Sequence, residues 1–275
     1  MKKISVLPVL ILALSLFLNA CGTSTSGGKE AADKGNQTVT IAAVDYEPYD
    51  GVLQFVQKRL KEQGIDLQIK YFTDVVIPNE ALNNKEVDLN YFQNNGYLRA
   101  ANASNNTELT PVAYTFDQIF GAYSKKYKSI EDLPDGSVIT IPGDPGNSAR
   151  SLKLLEQHGL IKLKEGAGFD ASQRDIIENN HNYKFVEIDQ MMLPKAYEDA
   201  DLIAIMGGYA LQAGLKPAKD ALIKEKINGH DYTSVLVARP DNKDDELIQK
   251  VAKAFEASEV KQFVLENYSD VAVWK

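Results

Sequence analysis

Apolar residues recur along this chain with two different periods. Residues 38–44 (TVTIAAV) form an apolar run of strand length. Val52, Leu53, Phe55, Val56 and Leu60 then return at the spacing of one helix face, and Gly64 supplies a stop. Ile65, Leu67, Ile69 and Tyr71 alternate with polar neighbours, which is the pattern of a half-buried strand. Pro78 is placed to open a short helix through Ala81 and Leu82, and residues 87–92 read as a third strand. Strand–helix–strand–helix–strand order implies a parallel sheet with helices on its faces.

The pattern restarts further on. Residues 137–141 read as a strand, 142–146 as a Pro/Gly loop, and 148–158 as a helix with Ala149, Leu152 and Leu155 on one face, closed by Gly159. Strands are predicted over 183–188, 202–205 and 235–238, with a short helix over 193–197 between the first two. Residues 244–268 are helical in pattern, with a break expected near Ala257-Ser258. There is no short internal repeat. Two successive α/β sets predict two lobes, each a mixed, mostly parallel sheet flanked by helices, with a cleft between them. Ligands of such sheets bind beyond the carboxyl ends of strands. The turns after 87–92, 137–141 and 202–205 are therefore the places to look.

The first twenty residues follow neither period. Lys2 and Lys3 precede an almost wholly apolar stretch over 4–18, and no Asp or Glu occurs before Cys21. Fifteen apolar residues are too few for a membrane-spanning helix, which needs about 20. A basic start, a short apolar run and small residues are the pattern of a secretory signal peptide over 1–20. Cys21 is the one cysteine of the chain, so an internal disulfide is excluded. It directly follows Leu18-Asn19-Ala20, and this run resembles the lipobox of bacterial lipoproteins, in which the cysteine thiol is lipidated. Residues 22–36 are Gly-, Ser-, Thr-, Lys- and Glu-rich and lack apolar periodicity, as a flexible tether does. The chain is thus expected to be anchored by lipid on the outer face of a cell membrane.

Composition adds exclusions. With 275 residues, 44% hydrophobic and 25% charged, the chain is long enough to bury a sizeable core. A net charge of −8 argues against a nucleic-acid partner, which requires a basic face. None of His158, His181 and His230 has a second histidine at metal-ligand spacing, and no nucleophile elbow, Walker loop or EF-hand loop occurs. Residues 166–171 (GAGFDA) match a dinucleotide pattern formally. They follow polar sequence rather than a strand, and read as a loop. No enzyme activity, cofactor or metal is expected.

Two of the three turns carry binding chemistry. In 142–150 (PGDPGNSAR), Asn147 is placed to cap the following helix, whose first free N–H groups favour an anion. Arg150 is expected in that helix's first turn, where a guanidinium can grip a carboxylate with two parallel hydrogen bonds. A cap with a surface salt bridge explains the same residues equally well. In 90–94 (NYFQN), Tyr91 and Phe92 are candidates for an apolar pocket wall, although one face of the strand must pack into the core.

At these residues the sequence resembles the NlpA/MetQ family of methionine-type ABC substrate-binding lipoproteins. The likeness runs through the whole chain. It is carried by 72–82 (FTDVVIPNEAL), 87–93 (VDLNYFQ), 123–126 (YSKK), 132–136 (DLPDG), Asp144-Pro145, and Asn147 with Arg150. It continues through 154–164 (LLEQHGLIKLK), 175–179 (DIIEN), Tyr209-Ala210 and 237–243 (VARPDNK). The resemblance implies a two-lobed type II periplasmic-binding-protein fold, with one lobe from 38–116 and 230–275 and the other from 117–229. Linkers would lie near Phe116 and Gly229. It implies ligand capture by hinge closure in a monomer, and delivery to an ABC permease driven by a separate ATPase. The ligand residues it implies are Tyr91, Phe92, Asn94, Asn147, Arg150, Met206 and Tyr209.

Three departures from the family pattern bear on the ligand. Asn94 stands where a histidine is usual, Met206 where an asparagine is usual, and Asp45-Tyr46-Glu47-Pro48 replaces a Gly-Pro-rich segment. The carboxylate clamp is expected to persist while the amine and side-chain contacts change. A modified amino acid or a Met-containing dipeptide therefore stands beside free methionine as ligand. Two competing classes are a lipid-anchored hydrolase, for which no nucleophile–base motif occurs, and a lipoprotein adhesin that has kept the fold and lost transport.

Overall fold

A computed structural model describes residues 37–226 and 229–274. The predicted signal peptide, Cys21 and the tether lie outside the described residues.

In chain order the first elements are β1 (Gln37–Val44), α1 (Tyr49–Glu62), β2 (Ile65–Phe72), α2 (Ile77–Asn83), β3 (Leu89–Asn94), α3 (Asn95–Asn105) and β4 (Thr110–Tyr114). Then come β5 (Asp117–Gln118), β6 (Phe120–Tyr123), β7 (Val138–Pro142), α4 (Pro145–Gln157), β8 (Lys162–Leu163), β9 (Ile176–Glu178), β10 (Lys184–Ile188) and α5 (Leu193–Ala196). The chain closes with β11 (Leu202–Met206), α6 (Gly207–Gln212), α7 (Pro217–Asp220), β12 (Ile223–Lys224), β13 (Ser234–Ala238), α8 (Glu246–Phe255), α9 (Ser258–Asn267) and β14 (Ala272–Val273).

Two five-stranded sheets organise these elements, in the orders β2-β1-β3-β13-β4 and β10-β7-β11-β6-β12. Each is mixed: β13 runs antiparallel to β3 and β4, and β6 runs antiparallel to β11 and β12. The fold is two-lobed, as the alternation of periods predicts. The interior strand β1 is buried from Ile41 to Val44, because helices cover both faces of its sheet. Helix α1 buries Tyr49, Val52, Leu53, Val56 and Leu60 on one face. Phe55 of the predicted face lies at its edge instead, stacked on Phe263 at 4.4 Å. The expected break after Ala257 separates α8 from α9.

Several elements escape the pattern. Helix α3 has a thin apolar face in Asn-rich sequence, and what starts it is local: Asn94 accepts the Tyr97 N–H at 2.8 Å. Strand β3 ends two residues beyond its predicted limit, so Asn94 is at once its last residue and this cap. Helix α4 starts at Pro145, earlier than predicted. Its cap is Asp144, whose carboxylate accepts the Asn147 N–H at 2.9 Å, and not Asn147 as expected. The short strand β14 pairs with β5 at the crossing between lobes, and the Ile119 N–H donates to the Val271 carbonyl at 2.8 Å.

Two glycines let the lobes meet backbone to backbone. A Cβ on Gly146, in the first turn of α4, would lie 2.9 Å from Tyr97 Cα in the other lobe. One on Gly208, in α6, would lie 2.1 Å from the Glu47 carbonyl oxygen. Gly208→Ala is therefore expected to part the lobes while leaving each core intact. Small-angle scattering should report a larger radius of gyration than the parent protein gives, with the secondary-structure circular dichroism unchanged.

Candidate functional site

The carboxyl ends of β3, β7 and β11 converge between the lobes. Asn94 at the end of β3 donates from Nδ2 to Asn147 Oδ1 at 3.1 Å, and the same nitrogen lies 3.8 Å from the Met206 sulfur at the end of β11. Asn147 donates in turn to the Asp144 carboxylate at 3.0 and 3.1 Å and to Gln190 Oε1 at 3.4 Å. Tyr46, in the loop after β1, stacks on Tyr209 of α6 with centroids 4.9 Å apart, and its hydroxyl donates to the Phe92 carbonyl at 3.0 Å. The Gly208 N–H donates to Gln118 Oε1 at 2.8 Å. These contacts shut the cleft on itself. The void left among Tyr46, Phe92, Asn94, Asn147 and Met206 is ≈ 10 Å³, room for about one water at most and far too little for an amino acid.

Arg150 lies deeper, in the second turn of α4 rather than the first, and only 1% of it is exposed. Its Nε donates to both carboxylate oxygens of Glu225, at 3.1 and 3.2 Å, and its Nη2 donates to Glu225 Oε2 at 2.6 Å. Nη2 also reaches the Gln118 carbonyl at 3.3 Å. The rings of Phe120 and Tyr232 lie 4.6 and 4.4 Å from the guanidinium carbon. Gln118 and Tyr232 belong to the two segments by which the chain crosses between lobes, and Glu225 leads into the second. One side chain thus touches both crossings. Its Nη1 is buried without a hydrogen-bond partner, as are the hydroxyls of Tyr209 and Tyr232. An unmet buried donor costs about 1–3 kcal/mol, so these three favour an acceptor that completes them.

Burial raises the hydroxyls of Tyr46, Tyr209 and Tyr232 well above the tyrosine range and pushes Tyr49 up to about 12. All four remain neutral donors at physiological pH. Burial also raises the Asp144 carboxyl, against the lowering effect of the Asn147 N–H and amide.

Beside the shut cleft is a cavity of ≈ 620 Å³. Val75, Val76, Tyr97, Ala100 and Ala101 wall it from one lobe, and Gly143 to Gly146 and Glu187 to Gln190 from the other. Tyr97 and Gln190 line both spaces. Asp144, Glu187 and Asp189 face this cavity, and no Lys or Arg lines it.

Phe92, Asn94, Asn147, Met206 and Tyr209 come together between the lobes as expected from the sequence. Tyr91 does not. Successive residues of a strand point to opposite faces, and Tyr91 turns into the first lobe's core, packed on Tyr49 and Phe255 with its hydroxyl 2.8 Å from Thr115 Oγ1. Arg150 is buried as required of a clamp, but its two-nitrogen edge is already held by Glu225. Tyr46, Gln118, Gln190, Glu225 and Tyr232 were missed. The available signals were the proximity of Gln118 and Tyr232 to the expected linkers and the place of Tyr46 in the 45–48 segment that departs from the family pattern. Among the described residues no group of three or more His, Cys, Asp or Glu could hold a metal.

Residues 39–274 match the family described as NlpA lipoprotein. The chain is 42% identical over 212 residues to the D-methionine-binding lipoprotein MetQ of Salmonella typhimurium, covering 76% of this chain and 78% of the relative. It is 36% identical over 260 residues to outer membrane lipoprotein 2 of Mannheimia haemolytica, covering 94% of each. Among solved structures, a nutrient-binding protein from Burkholderia cenocepacia bound to methionine superposes with a TM-score of 0.81 at 36% identity, covering 86% of this chain and 99% of that one.

Removing one partner of a buried ion pair strands the other charge, at a cost of about 3–5 kcal/mol. Arg150→Met and Glu225→Gln are each expected to lose stability on that order in urea titrations. The double variant should lose much less than the sum of the two, so a double-mutant cycle yielding no coupling would show the pair to be energetically idle.

Proposed function

The chain belongs to the NlpA lipoprotein family, and on that premise we propose that it is the substrate-binding lipoprotein of an ABC importer, capturing methionine or a closely related amino acid between its lobes. One observation carries the reading. Arg150 is buried where both crossings meet, and its Nη1 lacks a partner, as does the hydroxyl of Tyr232, whose ring lies 4.4 Å from the guanidinium carbon. A ligand carboxylate is the acceptor these donors fit, since a charge-assisted bond there replaces two unmet groups. Tyr46, Tyr209 and Met206 supply an apolar wall for a thioether side chain.

The void is too small for an amino acid while the lobes are shut, so the ligand is admitted to a parted form. The lobes, drawn from 38–116 with 230–275 and from 117–229, move about the two crossings, and the ligand stabilises the closed form by contacts to both. No catalytic step belongs to this cycle. Among the described residues no helix is long and apolar enough to cross a membrane. Lipidation at Cys21 is the proposed tether, and a membrane permease with its ATPase the recipient of the ligand.

The cavity of ≈ 620 Å³ favours a second reading. It adjoins the inner site at Tyr97 and Gln190 and has room for more than one residue, which suits a Met-containing dipeptide or a modified amino acid.

Calorimetry with L- and D-methionine and with Met-containing dipeptides tests both readings. Free methionine is expected to bind at micromolar or lower Kd. Tyr232→Phe, which removes one donor and no charge, is expected to weaken it about 5- to 150-fold, the equivalent of the 1–3 kcal/mol of one buried hydrogen bond. Dipeptide binding without methionine binding would select the second reading, and no binding of either would leave the adhesin class.

A further inference from the structure

A carboxylate grips a guanidinium best along an edge that offers two parallel N–H bonds. On Arg150 the Nε–Nη2 edge is occupied from within by Glu225, at 3.1, 3.2 and 2.6 Å. The remaining reach of Nη2 goes to the Gln118 carbonyl, and aromatic rings cover both faces. Only Nη1 is left for a ligand. Both ionic side chains are almost wholly enclosed, with 1% of Arg150 and 5% of Glu225 exposed.

This arrangement alters the charge that the site accepts. An isolated Arg150 would welcome a net anion. With Glu225 in place the pair is neutral before any ligand arrives, and a net anion would bring an uncompensated charge into a dry site at high desolvation cost. A zwitterion brings its own cation. We propose that Glu225 is a specificity residue: by holding the Arg150 fork it restricts the site to net-neutral ligands, zwitterionic amino acids or short peptides, and excludes net-anionic carboxylates such as des-amino acids and dicarboxylic amino acids. This rests on the reading that a ligand carboxylate is received at Arg150.

The test compares the full chain with its Glu225→Gln variant. The probes are L-methionine, its des-amino analogue 4-(methylthio)butanoate, and acetate, measured by calorimetry and thermal denaturation. The parent protein is expected to prefer methionine to the des-amino anion by about a hundredfold or more, and Glu225→Gln to narrow that preference at least about tenfold. The variant's Tm without ligand is expected to fall by about 6–10 °C. Acetate at millimolar concentration should restore part of that loss and leave the parent unmoved. An unchanged preference, or equal weakening towards methionine and its analogue, overturns the proposal and leaves Glu225 a structural prop. Acetate rescue of the variant with no methionine binding to either protein would refute the amino-acid reading while upholding the role of Glu225. Should Glu225→Gln not fold, Glu225→Asp keeps the charge and withdraws it by one methylene. The same narrowing is then expected at smaller amplitude, and its absence is equally fatal.

Discussion

The buried ion pair of Arg150 with Glu225 is the constraint around which the rest of this molecule is arranged. Two charges taken out of water are tolerable only when their geometry is good and their remaining donors are met. Here three nitrogen–oxygen contacts and two aromatic faces supply that geometry. The partners come from separated parts of the chain: α4 provides the cation, the segment after β12 the anion, and the two crossings a carbonyl and a ring. None of these segments could hold the charge alone. The pair therefore registers the second lobe against both crossings, and the cleft inherits its position from that registration.

The helix N-termini and glycines around the cleft follow the same logic at lower stakes. Asp144 and Asn94 each cap a helix, and Asn147, bonded to both, ties one lobe's cap to the other's. Gly146 and Gly208 remove the side chains that would hold the backbones apart. In the closed form the protein thus makes, between its own halves, polar contacts of the kind a ligand would make with each half. Closure without ligand competes with closure around it, and the balance between the two decides how much of the binding energy appears as affinity.

Much of the fold was legible because long periodic segments are governed by which face they bury. Residues 38–44, the α1 face and the Ala257 break are read from the sequence alone, and the structure agrees with each except at Phe55, which lies at the edge of the α1 face. Short elements were not legible. Strands β5, β6, β12 and β14 are two to four residues long and owe their conformation to partners distant in sequence. Helix α3 lacked an apolar stripe, and the capping of α4 turned on which of two neighbouring polar residues reached the free N–H. At the site, strand-end positions could be listed but not sorted by face, and so Tyr91 was misplaced. Glu225 was beyond reach, because nothing local distinguishes a glutamate in the run Lys224-Glu225-Lys226 from a solvated one. Its partner lies 75 residues away.

The position of β13 has a consequence for how the chain acquires its shape. This strand lies between β3 and β4, pairing Val235 with Gln93 on one side and with Tyr114 on the other. Until it arrives, the first lobe presents two open strand edges, each a template for pairing with another molecule. That lobe is begun first and finished last, whereas all five strands of the second sheet fall between residues 120 and 224. A chain shortened before residue 234 would keep every strand of the second sheet and leave the first lobe with a gap between β3 and β4, prone to self-association. Assembly of this protein is therefore gated by its C-terminal segment, and nascent or truncated forms would need protection from one another until that segment is in place.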